Sequence, residues 1–169
     1  MAAGIDGLIF DLDGTLVDSI ADIGQAMNSV LAELSLPAHG MEAYKTFVGE
    51  GAENLVLRSV RAAMGLDWRL SEAAVLPKGL PELVNAYRVS YGRQNHAHSR
   101  PYPGIAAMLD EVVASGRKKA VLSNKRDDIT KHLVTQAFGR WPFVDVRGER
   151  DGVPRKPDPT AAYELALEL

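Results

Sequence analysis

The sequence predicts an α/β protein: a parallel sheet carrying helices, with a block of helices inserted after its first strand. Three observations predict it. An apolar run of strand length, Leu8-Ile9-Phe10, leads into Asp11 and Asp13. From about Asp18 to Ser99 apolar residues recur at helical spacing, and no strand pattern interrupts them. After Pro103 the order is helix, strand, helix, strand, loop, helix, an alternation that argues a parallel sheet with right-handed crossovers. The domains expected are therefore residues 1–17 (first strand), 18–99 (helical insertion) and 100–169 (the rest of the sheet domain).

Taken in order, Gly4 to Asp13 reads as the first strand, buried on both faces. Ile20, Ile23, Met27, Val30, Leu31 and Leu34 then mark a helix. Asp18 or Ser19 is placed to cap it, and Leu36-Pro37 stops it. Met41 to Phe47 suggests a short helix. Val48-Gly49-Glu50-Gly51-Ala52 permits a tight turn into the next helix, which carries Leu55, Val56, Val60, Ala63 and Met64 on its apolar side. Trp68, read as a packing anchor, and Leu70 lie in a polar connection. Pro81 to about Asn95 returns to helical spacing. Pro101-Tyr102-Pro103-Gly104 is a rigid turn. Ile105 to Ser115 is a helix ended by Gly116. Lys119 to Leu122 is a short strand ending in Ser123-Asn124-Lys125. Asp127 to Phe138 is a helix closed by Gly139. Trp141-Pro142 is a turn before a third strand, Phe143 to Val146. Asp151 to Pro159 is a loop, and Thr160 to Leu169 begins a helix.

Composition excludes several classes of function. The 169 residues leave room for one domain with a small insertion. A net charge of −3 gives no electrostatic reason to expect nucleic acid or an anionic membrane. The absence of cysteine removes disulfides, thiolate metal sites and a cysteine nucleophile. It also fits a reducing compartment. No secretory leader pattern opens the chain, and no apolar stretch reaches the roughly 18 residues that a spanning helix needs. A cytoplasmic location is the default expectation. His39, His96, His98 and His132 show no metal-ligand spacing.

The chemistry is concentrated in three polar clusters at strand ends or loops. A strand sends residues i and i+2 to one face, so Asp11 and Asp13 leave the first strand on the same side. Two carboxylates that close repel unless a cation sits with them. Oxygen-only ligands favour a hard ion, Mg²⁺ before Zn²⁺. Gly14 follows where the chain must turn sharply. Asp-Gly after an apolar run is also an ordinary turn signal. Ser123-Asn124 ends the second strand, and Lys156-Pro157 lies after the third. Together these residues supply what phosphoryl transfer requires. Asp11 can attack phosphorus. Asp13 can give a proton to the departing oxygen and take one from water. Ser123 and the backbone around Asn124 can donate to phosphoryl oxygens, and Lys156 can neutralise developing charge.

The string Asp11-x-Asp13-Gly14-Thr15-Leu16-x-Asp18-Ser19 resembles the first motif of the haloacid-dehalogenase superfamily, in the form its phosphatases use. Ser123 looks like the second motif, and Lys156-Pro157-Asp158-Pro159 like the third. The resemblance implies a Rossmann-like parallel core with an inserted small α-helical cap that closes over the site and selects the substrate. It implies Asp11 as nucleophile and Mg²⁺ ligand. It implies Asp13 as acid/base and as a Mg²⁺ ligand through its main-chain carbonyl. Within the superfamily, Phe47 to Ala52, Pro101 to Gly104, Ser123 to Lys125 and Gly152 to Pro159 resemble the phosphoglycolate phosphatase subfamily. The expected activity is therefore Mg²⁺-dependent hydrolysis of a small phosphate monoester, 2-phosphoglycolate first, through an aspartyl-phosphate. Gly49, Glu50, Gly51 and Arg58 are the candidate substrate contacts of the cap. Lys125 and Arg155 are within reach of a substrate role but are expected to be solvated charges. Arg58 is by default a surface residue, with a clamp on a substrate carboxylate as its alternative.

The chain departs from the superfamily in one respect. The fourth motif, Gly-Asp followed by a further Asp, has no candidate downstream of Lys156. In the superfamily that motif adds carboxylates to the Mg²⁺ site, on a strand beside the first. Without it the first strand becomes a sheet edge with unpaired backbone groups. The expectation is either a fragment of a longer protein or a second copy pairing there, hence a monomer or a homodimer that binds Mg²⁺ weakly and turns over slowly or not at all. A phosphomutase or sugar-phosphate phosphatase of the same fold is the alternative enzyme. A non-catalytic module is the alternative from another class.

Overall fold

A computed structural model describes residues 5–69 and 76–169. Gly4 and Leu70, placed by the sequence in the first strand and in a polar connection, lie outside the described residues. The chain divides into two compact units, one made of residues up to Asp18 and from Arg100 to Leu169, the other of Ser19–Ser99.

In the first unit, β1 (Gly7–Phe10), β4 (Lys118–Arg126) and β5 (Val146–Glu149) form a parallel sheet in the order β1-β4-β5. β4 is the central strand, and strand alternation gives its two faces different jobs. Val121 turns into a core of Leu12, Leu16, Leu109, Leu133, Val134, Phe138 and Trp141. Those residues come from the turn after β1, from α5 (Ile105–Ala114), from α6 (Asp127–Phe138) and from the turn beyond it. Ala120 and Leu122 turn the other way, onto Ala161 and Leu165 of α7 (Thr160–Glu168). Helices thus cover both faces, the arrangement a parallel sheet requires.

β1 departs from expectation. It is four residues long and only half-buried, with Ile9 at 37% exposure. Among the described strands it pairs with β4 alone, so it lies at the sheet edge, as the sequence leads one to expect, but it is not buried on both faces. The turn beyond it is tight: the amides of Thr15, Leu16 and Val17 all donate to the Leu12 carbonyl, and Gly14 takes φ 79°. Any side chain there would be strained.

β4 runs nine residues rather than four. Polar Ser123-Asn124-Lys125 stays in the strand because pairing to β5 continues, with a shift of register between Leu122 and Arg126. β5 begins where the sequence placed its last residue. Phe143 packs against the core, and Val144 and Asp145 hydrogen-bond to β4 before regular pairing starts. A two-residue antiparallel ribbon, β2 (Val17–Asp18) with β3 (Arg100–Pro101), joins the points where the chain leaves and re-enters this unit. It is too short for periodicity to reveal.

The second unit is helical: α1 (Ile20–Glu33), α2 (Met41–Phe47), α3 (Gly51–Ala63) and α4 (Leu80–Arg93). Ser19 occupies the N-cap of α1 but makes no side-chain capping bond, and Asp18 belongs to β2, so neither caps as expected. A different carboxylate organises this end of the unit. Asp22 is fully buried in the first turn of α1. It accepts from the Ser99 hydroxyl at 2.6 Å and from the His98 amide at 3.1 and 3.2 Å. A buried carboxylate survives only with such donors, so Asp22 fastens the last residues of the unit to its first helix. His39 is a packing histidine: its Nε2 is 2.9 Å from the Ser59 carbonyl and its ring meets Tyr44 and Phe47 edge-on. No helix among the described residues is long and apolar enough to cross a membrane.

Asp22→Ala removes the acceptor of the part-buried hydrogen bonds from the His98 amide and the Ser99 hydroxyl. We expect it to cost about 2–4 kcal/mol, read as a lower urea midpoint with an unchanged slope. An unchanged midpoint would contradict the fastening role.

Candidate active site

The carboxyl ends of β1 and β4 and the loop after β5 lie together because adjacent parallel strands all point one way. Asp11 and Asp13 follow β1. Ser123, Asn124 and Lys125 occupy the end of β4. Lys156 sits in the loop between β5 and α7.

Two ion pairs join these segments. The Lys156 ammonium lies 2.9 Å from Asp11 Oδ1 and donates to the Leu122 carbonyl at 2.7 Å. The Lys156 backbone is fixed in turn by the Asn124 side chain. Asn124 Nδ2 donates to the Lys156 carbonyl, and the Lys156 amide donates to Asn124 Oδ1, both at 2.9 Å. Asn124 is therefore a clamp on the lysine loop, its amide group committed at both ends. Asp11 stays accessible, its side chain 43% exposed, with Oδ1 also accepting from the Leu12 amide at 2.7 Å.

The second pair corrects the sequence reading. Lys125 is not a solvated charge: its side chain is 9% exposed, and its ammonium donates to both carboxylate oxygens of Asp13 at 3.0 and 3.1 Å. Its own amide donates to Ser123 Oγ at 3.2 Å. A signal was present in the spacing, since Ser123 and Lys125 stand i and i+2 in a strand. Arg155 is likewise not simply solvated, for it meets Glu149 at 3.4 Å.

Close packing holds β4 in place. A Cβ on Gly148 of β5 would lie 2.4 Å from the Lys125 carbonyl oxygen and 2.5 Å from Asp127 Cα. The Gly148 amide donates to Asp127 Oδ1 at 2.8 Å. Burial pushes the Asp127 carboxyl up, but this bond and Lys131 outweigh it and hold the group below its ordinary value.

Gly49, Glu50, Gly51 and Arg58 belong to the second unit and form a cluster of their own. Arg58 pairs with Glu50 at 2.5 Å, donates to the Phe47 carbonyl at 3.3 Å and lies over the ring of Trp68. Trp68 also packs edge-on to Phe47, as an anchor should. The hydrogen bond from Arg58 holds the Glu50 carboxyl below the usual carboxylate range. Arg58 is thus engaged by a carboxylate of its own chain, not left as a bare surface charge.

The donors present suit a hard divalent cation in kind. Asp11 offers an accessible carboxylate and Asp13 a main-chain carbonyl, both oxygen donors. Among the described residues no group of three or more acidic, histidine or cysteine side chains is placed to hold a metal ion. Magnesium commonly takes one or two carboxylates and fills its other positions with water and substrate phosphate, so the set fits such an ion with few protein ligands.

A parallel sheet whose strand ends gather two aspartates, a serine and a lysine defines a class of α/β hydrolytic fold, and the comparisons place the chain within it. Residues 8–169 match the model of the haloacid dehalogenase-like hydrolase family, and the chain belongs to that family. A phosphoglycolate phosphatase from Pseudomonas syringae pv. syringae is 35% identical over 158 residues, which is 92% of this chain and 55% of that protein. One from Yersinia pseudotuberculosis is 33% identical over 166 residues, 98% of this chain and 68% of that protein. A crystal structure described as a predicted phosphoglycolate phosphatase from Haemophilus somnus superposes with a TM-score of 0.83 at 27% identity, over 99% of this chain and 73% of that one. The chain spans little more than half the length of the Pseudomonas relative.

Asn124→Ala removes both bonds that fix the Lys156 backbone. We expect a loss of about 2–3 kcal/mol and faster limited proteolysis within residues 150–159. Unaltered cleavage of that loop would show that Asn124 is not its clamp.

Proposed function

We propose that the chain carries the catalytic machinery of a phosphatase for a small phosphorylated metabolite, 2-phosphoglycolate foremost. The observation that carries this reading is the meeting of Lys156 with Asp11 at 2.9 Å across the sheet. An anionic tetrahedral group bound there would face a carboxylate nucleophile, an ammonium and a serine hydroxyl together, the set that phosphoryl transfer uses.

In this reading the ester's phosphoryl oxygens take hydrogen bonds from Ser123 and share the Lys156 ammonium with Asp11. A carboxylate oxygen of Asp11 attacks phosphorus while the bond to the alcohol oxygen breaks, giving an aspartyl-phosphate. Asp13, entering the step in its protonated form, supplies the proton that the departing alcohol takes up. It then removes a proton from the water that attacks the intermediate, so phosphate leaves and both carboxyl groups return to their starting state. Magnesium held by Asp11 and the main chain of Asp13 would screen the nucleophile's charge from that of the ester. The helical unit, with Gly49, Glu50, Gly51 and Arg58, is assigned the choice of substrate as a cap. The named activity of the Pseudomonas and Yersinia relatives supports 2-phosphoglycolate. The reading needs no nucleic acid and no membrane, and a monomer or homodimer suffices.

Beryllofluoride with Mg²⁺ mimics a phosphorylated carboxylate. At a concentration about 100 times its dissociation constant it would add about 2.7 kcal/mol of stability, raising the melting temperature by several degrees. Asp11→Asn should abolish that shift. No shift in the wild type, or an equal shift in the variant, would overturn the reading. Release of phosphate from 2-phosphoglycolate in preference to hexose phosphates then separates it from a sugar-phosphate phosphatase or phosphomutase.

A further inference from the structure

Lys125 has no assigned part in the chemistry above, yet it is the most enclosed cation near the two aspartates, its side chain 9% exposed. Its placement is unusual in joining two functional side chains through one residue. The backbone N–H donates to Ser123 Oγ at 3.2 Å, and the ammonium donates to both oxygens of Asp13 at 3.0 and 3.1 Å. The local backbone is built to allow this. The pairing of β4 with β5 shifts register between Leu122 and Arg126, and irregularities of this kind re-aim side chains beside active sites. Gly148 lets β5 pass close to the Lys125 carbonyl, because a Cβ there would clash with that oxygen. Thr130 Oγ1 donates to that same carbonyl at 3.1 Å, tying it to α6.

Stability alone does not account for the pair. A half-buried ion pair is commonly no better than apolar side chains of the same volume, because two charges must leave water. What a two-pronged ammonium does provide is orientation. A carboxyl group held by an ammonium cannot turn freely about its terminal torsion. When Asp13 enters the step protonated, the ammonium keeps one oxygen and the other carries the proton, and a proton donor works only within hydrogen-bond reach of the atom it serves.

We propose that Lys125 is a positioning residue for the proton-transferring carboxyl: it fixes Asp13 in register with the phosphoryl-binding hydroxyl of Ser123. This rests on the phosphatase reading. The consequence concerns the leaving group. An alkyl phosphate expels a strongly basic alkoxide and depends on a well-placed acid, whereas a nitrophenyl phosphate expels a stable phenolate and depends on it little.

The test uses the full chain with saturating Mg²⁺, the variants Lys125→Met and Lys125→Arg, and two esters, 2-phosphoglycolate and p-nitrophenyl phosphate. For Lys125→Met we expect kcat on 2-phosphoglycolate to fall about 10- to 100-fold. The fall on p-nitrophenyl phosphate should be at least about fivefold smaller, with KM little changed, and Lys125→Arg should recover most of the loss. Equal losses on both esters, or a loss confined to KM, would overturn the proposal. A melting-temperature cycle of Asp13→Asn, Lys125→Met and the double variant gives an answer that does not need turnover. The double variant should melt above the sum of the single shifts, since a lone buried charge is left in each single variant. Strictly additive shifts would overturn the proposal. If the wild type hydrolyses neither ester, the phosphatase reading falls, and the melting cycle alone decides whether Lys125 holds Asp13.

Discussion

The contact between Lys156 and Asp11 is the constraint on which the rest of the structure depends. The two residues are 145 positions apart in sequence, and nothing local brings them together. Three things do. β1 and β4 run parallel in register, Gly7 opposite Lys118 through Phe10 opposite Val121, so both strands end at the same level. β4 then extends past its apolar run far enough for Asn124 to take hold of the Lys156 backbone at both its amide and its carbonyl. The Leu122 carbonyl anchors the ammonium from below. The fold thus places a positive charge over a carboxylate by means of backbone pairing, which is stiff, and not by means of loops, which are not.

The charges in this unit balance locally. Asp11 faces Lys156 and Asp13 faces Lys125. Either lysine alone would carry an uncompensated charge into a half-buried place. The pairs differ in exposure: Lys156 and Asp11 are open at 29% and 43%, Lys125 and Asp13 enclosed at 9% and 21%. An open pair can be shared with an incoming anion at small cost, while an enclosed one resists exchange. That difference leaves the first pair open to an incoming anion and the second holding a side chain still. Behind both, Arg147 ties β5 to α7 through Asp145, Glu164 and Glu168, and the Asp145 bond raises its guanidinium further above its ordinary value. The lysine loop springs from that braced region.

Much of this was legible in the residues. The bounds of α2 and α6 are those the sequence predicts, because helical spacing agrees with the turn residues at their ends. Asp11, Asp13, Ser123 and Lys156 stand out because polar residues that follow apolar strands have few structural reasons to be there. What escaped depends on partners distant in the chain. β4 is longer than its apolar run: Ser123-Asn124-Lys125 looks like a strand ending, and only pairing with β5 continues it. β5 begins three residues later than its apolar residues suggest, because Phe143 and Val144 only approach the sheet. A lysine's ordinary place is in water, and the partner that encloses Lys125 lies 112 residues away. Asp22 gives no signal in the sequence, for its donors are at His98 and Ser99. Ser19 has a residue type that favours capping, and its side chain does not cap.

The central claim is that Asp11 is poised to take a phosphoryl group. Acyl phosphates survive acid quenching, so the most direct measurement is peptide mass spectrometry of the chain stopped in acid during incubation with Mg²⁺ and 2-phosphoglycolate. The account predicts one added phosphoryl group, on the peptide that carries Asp11, removed by hydroxylamine and absent from Asp11→Asn. A phosphoryl group found on Ser123 or any other side chain, or phosphate released with Asp11 replaced, would contradict it.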